Sequence, residues 1–185
     1  MAVRKIIRMG HPLLRKKARP LTDAEIRHAE TRRLVKDMVD TLDDYGGIGL
    51  AAPQIGESIR LAIVRMEGGP SRYGEIPALP LTVFVNPTIT VLESTSAGYW
   101  EGCLSVPGLR GYVERPQRVR VDYVDLDRNK QTLELNGFPA TVFQHEFDHL
   151  DGKLYIDRIT DLSRLVFEEE YLRYAQSKDE GEGEL

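Results

Sequence analysis

Apolar positions in the first quarter of the chain recur at helical spacing. Val35, Met38, Val39 and Leu42 fall on one stripe of a helix expected over residues 23–44. Thr22 can cap it, with Glu25 three residues on completing a capping box and Leu21 against Ile26 forming a hydrophobic staple. Gly46 and Gly47 stop it. The period then changes. Residues 60–66 read as a buried strand, and 67–80, with its Gly and Pro, reads as a surface loop. Residues 81–85 and 89–92 read as strands broken by Asn86-Pro87. Over 118–126, Val119, Val121 and Tyr123 alternate with charged neighbours, as in a half-buried strand. After a turn at Asp127-Arg128-Asn129-Lys130, residues 131–135 return as the second arm of a hairpin. A second helix is expected from Pro139, suited to a first helical position, to Leu150, ending near Gly152. A third is expected over 162–176, capped by Asp161. Clustered strands with helices between and after them indicate an α+β fold rather than alternating β-α-β units.

The length of 185 residues suits one domain, expected over 1–176, with 177–185 as a flexible acidic tail. The net charge of −4 is unevenly spread. Residues 161–185 hold 3 basic and 8 acidic side chains, which leaves 22 against 21 in the first 160. No basic stripe is present to displace phosphate counterions, so nucleic acid is excluded as a specific partner. A single cysteine rules out an internal disulfide and fits a reducing compartment. No apolar run approaches the roughly 18 residues that span a bilayer. The opening Met1-Ala2-Val3-Arg4-Lys5 leads into too brief an apolar stretch for a secretory signal, so cytoplasm is the expected location.

Chemistry concentrates in His145-Glu146-Phe147-Asp148-His149, inside the second expected helix. Residues four apart share a face, so both imidazoles can reach one ion, and Glu146 stands beside it, placed to take a proton from an activated water. Two of only four histidines fall in this pattern, which favours a metal over two solvated rings. A third protein ligand is needed, leaving a fourth position for water. Tyr155 stands where one metalloprotease pattern has its third His and is a poor ligand. Glu169, twenty residues after His149, has the spacing of a gluzincin-like metallopeptidase, though Glu168, Glu169 and Glu170 also read as a solvated face. Cys103 is the third choice. Gly102 before it and Pro107-Gly108 after it predict a sharp bend that can aim the thiolate outward, whereas its plain reading is a small buried hydrophobe. Asp148 reads as an orienting or helix-end group rather than a catalyst.

Three blocks resemble the signature motifs of the peptide deformylase family: Gly47-Ile48-Gly49-Leu50-Ala51-Ala52-Pro53-Gln54, Glu101-Gly102-Cys103-Leu104-Ser105, and Gln144 through Gly152. Gly10-His11-Pro12-Leu13-Leu14-Arg15 resembles the family's amino-terminal segment, so the similarity spans about 3–158. The resemblance implies sheets packed around a central helix that bears the His-Glu-x-x-His motif, with a C-terminal helix. It implies a metal-dependent enzyme that removes the formyl group from formylmethionyl N-termini of peptides and nascent chains, releasing formate. Cys103, His145 and His149 would bind one divalent ion, ferrous iron in the cell, with zinc, nickel or cobalt able to replace it. Glu146 would act as general base and acid, and the Gln54 side chain and Leu104 N–H would hold the oxyanion. Ile48, Gly49 and Gly102 would contact the substrate backbone, Arg110 the peptide beyond its first residue, and Ile48, Val142 and His145 the methionine side chain. Some bacterial members dock at the ribosome through a basic terminal helix. The acidic end of this chain implies that any transient ribosome contact is weak.

Overall fold

The computed structural model describes residues 2–71 and 74–176, so the expected tail at 177–185 lies outside the described residues. The first expected helix is in fact two, α1 (Asp23–Arg27) and α2 (Ala29–Tyr45), separated by His28 in extended backbone (φ −66°, ψ 140°). The Thr31 hydroxyl donates to the Glu25 carbonyl at 2.6 Å, taking an acceptor that a continuing helix would have used for its own ladder. The capping box forms as expected, with Thr22 and Glu25 satisfying each other's backbone N–H groups. Val35, Met38 and Leu42 are buried, and α2 stops at Gly46, whose φ of 72° favours glycine.

The strands are β1 (Gly49–Ala51), β2 (Leu61–Met66), β3 (Gly69–Ser71), β4 (Gly74–Ile76), β5 (Leu79–Cys103), β6 (Val106–Val124), β7 (Lys130–Asn136) and β8 (Leu165–Phe167). The expected loop 67–80 thus carries a small β3–β4 hairpin. The expected break at Asn86-Pro87 is a bulge inside one long strand. Asn86 adopts φ 50° there, which asparagine tolerates, and its amide pairs with both the N–H and the C=O of Leu21 at 2.8 Å. The main sheet is antiparallel in the order β1-β2-β5-β6-β7, with β8 on β6.

Helix α3 (Phe138–Leu150) follows β7 and carries the His-Glu-x-x-His motif. It packs on one face of the sheet, where Ala62, Val64, Phe84, Val119, Val121, Phe143 and Phe147 share a core. Phe84 and Phe143 meet edge to face, 5.1 Å between centroids. On the other face α2 covers Leu61, Ile63 and Val85 with Met38 and Leu42. Strand β2 is therefore buried on both sides, which is why its sequence is nearly unbroken apolar.

The third expected helix forms only in its second half, and its first six residues are replaced. Residues 162–164 form a 3₁₀ turn capped by Asp161, β8 follows, and helix returns only as α4 (Glu168–Glu170) running into a π-turn at Tyr171–Ala175. Leu165-Val166-Phe167 pairs with the exposed backbone of Leu109–Gly111, so tertiary pairing overrides the helical period. Among the described residues no helix is long and apolar enough to cross a membrane.

Candidate metal centre

Strands β5 and β6 are joined through Leu104 and Ser105, so Cys103 is the last residue before a tight reversal. A register shift between Glu101 and Cys103 marks a bulge, a device that re-aims a side chain at a strand end. The bend expected around Cys103 is present, and it turns the sulfur toward α3. There His145 and His149, one turn apart, face it, and Sγ lies 3.3 Å from His149 Nε2. Donor atoms of Cys103, His145 and His149 all lie within 4.8 Å of one another. Glu169 is exposed on the C-terminal segment and does not join them. Tyr155 is buried, stacks on His145 at 6.0 Å and donates its hydroxyl to the Leu109 carbonyl.

The electrostatics favour a thiolate beside positive charge. Burial alone would raise the Cys103 thiol, but the charge of His149 and hydrogen bonds from both imidazoles hold it well below its ordinary value. Burial likewise opposes charging of His145, yet contacts with Cys103 and Glu101 raise it well above the usual imidazole range. A metal ion bound here would take the place of the ring protons, because only neutral imidazoles and the thiolate ligate. Two of the buried atoms that lack a partner among the described residues belong to this site, Glu146 Oε2 and His149 Nδ1. An unpaired carboxylate oxygen beside three converging soft and borderline donors fits a metal site with an adjacent base. Burial is the main cause that raises the Glu146 carboxyl above its usual range.

Every residue that the family resemblance assigns to the site, except His149, lines one cavity of about 990 Å³; His149, 1% exposed, sits beneath it. Gly49 lies against the general-base candidate, since a Cβ there would stand 2.6 Å from Glu146 Cδ. Gln54 accepts from Ala51 N–H at 2.8 Å, which turns its Nε2 toward Cys103 Sγ (3.6 Å) and Ser105 Oγ (3.4 Å). Val142 and Ile48 are on the walls, and Arg110 lies over Gly102.

Two residues escaped the sequence reading. Glu101 accepts from His145 Nδ1 at 2.7 Å and so orients the ring with Nε2 inward. Buried Arg115 holds Glu101 through Nε (2.6 Å) and Nη2 (3.0 Å), and reaches Asp148 through Nη1 at 2.8 Å. Asp148 therefore touches Arg115 and Arg158 rather than an imidazole, one contact further out than expected. The only hint was that Glu101 sits two residues before Cys103 in its block.

Two helix-borne imidazoles, a strand-end thiolate and a buried adjacent carboxylate define the class of metal-dependent hydrolases. The polypeptide deformylase family profile matches residues 3–165, and the chain belongs to that family. It is 42% identical over 170 residues to a peptide deformylase of Leptospira biflexa, covering 92% of this chain and 95% of that protein. It is 44% identical over 165 residues to peptide deformylase 2 of Pseudomonas syringae pv. tomato, covering 89% and 92%. The fold superposes on the Met-Ala-Ser-bound crystal structure of class I type b peptide deformylase from Acinetobacter baumannii with a TM-score of 0.79. That match has 36% identity and covers 85% of this chain and 99% of the other. The peptide deformylase of Thermotoga maritima gives a TM-score of 0.73 at 34% identity over 87% and 100%.

Proposed function

We propose that this chain hydrolyses the formyl amide of N-formylmethionyl peptides and nascent chains and releases formate. The convergence of Cys103, His145 and His149 beside the unpartnered carboxylate of Glu146 carries the reading. A divalent ion held by those three residues would supply a Lewis acid and lower the pKa of water. Glu146 takes the proton of the attacking water and later delivers it to the departing amine. Gln54 Nε2 and the Leu104 N–H donate to the oxygen that becomes anionic as the formyl carbon turns tetrahedral. Strand β1 is at the sheet edge, so Gly49 offers backbone groups to an extended peptide, joined by the N–H of Ile48, whose carbonyl accepts from the Arg65 N–H at 2.8 Å, with Gly102 opposite. Val142, Ile48 and His145 enclose the methionine side chain, and Arg110 meets the residues beyond it. Glu101 and Arg115 keep the His145 ring in place.

Ferrous iron is the proposed native ion, and the Cys-His-His donor set also accepts zinc, nickel and cobalt. We place the enzyme in the cytoplasm as one catalytic domain over 1–176, with its acidic end weakening any ribosome contact. Formate release from formyl-Met-Ala-Ser by protein loaded anaerobically with each metal tests the reading. Glu146→Gln should retain about one ion per chain and lose roughly 100-fold or more in kcat, whereas Cys103→Ala should lose the ion. Equal rates for Glu146→Gln and the parent chain would remove Glu146 from the mechanism.

A further inference from the structure

Strand β8 pairs with the β6 edge in a register that sets Arg110 opposite Val166 and Leu109 opposite Phe167, which delivers the next residue, Glu168, beside the Arg110 side chain. Arg110 Nε donates to Glu168 Oε1 at 2.8 Å, and Nη2 reaches the same oxygen. The guanidinium lies over Gly102, where a Cβ would stand 2.4 Å from Nη1. Both side chains line the cavity that holds Cys103 and Glu146, and both stay partly open to solvent, 33% and 36% exposed. The other acidic residues of that cavity are committed or deep: Glu101 binds Arg115 and His145, and Glu146 is buried. Exposed Lys5 and Arg8 line the same cavity, and among the described residues neither forms an ion pair. Without Glu168 the mouth would carry three cations and select acidic peptides.

We propose that Glu168, by neutralising Arg110, sets the charge selectivity of the groove for side chains that follow the formylated methionine, so that basic residues there are accepted. The proposal rests on the deformylase reading. The C-terminal segment stays anchored without Glu168, because Trp100 packs on Tyr171 at 4.9 Å and Arg164 lies 3.3 Å from the centre of the Tyr112 ring. Glu168 is thus a specificity residue rather than a strut.

The test compares kcat/KM of metal-replete full chain on formyl-Met-Lys-Ser and formyl-Met-Asp-Ser, and on formyl-Met-Ala-Lys and formyl-Met-Ala-Asp, at low ionic strength. Glu168→Gln should lower the Lys/Asp ratio roughly twofold to fivefold, mainly through KM. Arg110→Gln should raise it by a similar factor by unmasking the carboxylate, and 0.5 M salt should shrink both shifts. A purely structural role would lower all four rates together. Ratios that stay unchanged, or that move the same way in both variants, overturn the proposal. Should the Trp100 emission show the segment released in Glu168→Gln, the direction of the Arg110→Gln shift alone decides. Inactivity of the parent chain on formyl-Met-Ala-Ser would instead sink the deformylase reading.

Discussion

Gly49 has a reason that only the folded chain supplies. The Glu146 carboxylate occupies the space a Cβ would need, with Cδ at 2.6 Å and Oε1 at 2.7 Å. Glu146 is buried, so an added methyl displaces the carboxylate within the cavity rather than into water. Gly49→Ala should therefore keep its bound metal and lose roughly 10 to 100-fold in kcat, since small misplacements of a reacting group cost that much. Metal content per chain measured beside formate release checks this, and an unimpaired kcat would mean the carboxylate has other room. The two imidazoles were legible from residues alone, because a four-residue helical spacing announces two rings on one face, whereas Cys103 stood beside Glu169 as a candidate third donor until the family resemblance chose between them. Glu101 and Arg115 were not. They meet only through the pairing of β5 with β6, and long-range pairing leaves no local signature.

Elements were legible where local rules decide them and illegible where a distant partner does. The capping box ahead of α1 is a local device and was read correctly. It carries a pH dependence. The hydrogen bond from Arg19, then those from the Thr22 N–H and hydroxyl, lower the Glu25 carboxyl from 4.5 to about 2. A depressed folded value means that the stabilisation is complete above the unfolded value of 4.5 and fades as pH falls toward about 2. The stability difference between the parent chain and Glu25→Gln should thus be largest at pH 6 and shrink by pH 2. Urea unfolding across that range measures it, and a gap independent of pH would mean that neither the Arg19 pair nor the cap draws on the charge of Glu25. The break at His28 and the strand at Leu165–Phe167 were missed for the opposite reason. One depends on a hydroxyl six residues from its acceptor, the other on an edge more than fifty residues away.

At the scale of the molecule, one buried charge cluster joins the sheet, the motif helix and the segment after it. Arg115, 3% exposed, comes from β6 and holds Glu101 of β5 and Asp148 of α3, while Arg158 closes on Asp148 from the chain beyond α3. Burial opposes the charge on Glu101 and on Asp148, and the hydrogen bonds and charges around them more than offset it, holding both carboxyls below their usual range. The cluster is thus an ion network whose parts stand or fall together. Removing its central cation leaves two buried carboxylates underpaired and frees the group that orients His145. Arg115→Met should destabilise the fold by about 3 to 5 kcal/mol, and it should weaken metal binding roughly 10 to 100-fold because an outer partner of a ligand is lost. Arg158→Gln, whose side chain is 42% exposed and touches only Asp148 in the cluster, should cost much less on both counts. Thermal unfolding with and without added metal, together with a chelator competition, separates the two effects. If Arg115→Met unfolded like the parent chain and held its ion as tightly, the cluster would be incidental to the site, and the orientation of His145 would have to come from the packing of α3 alone.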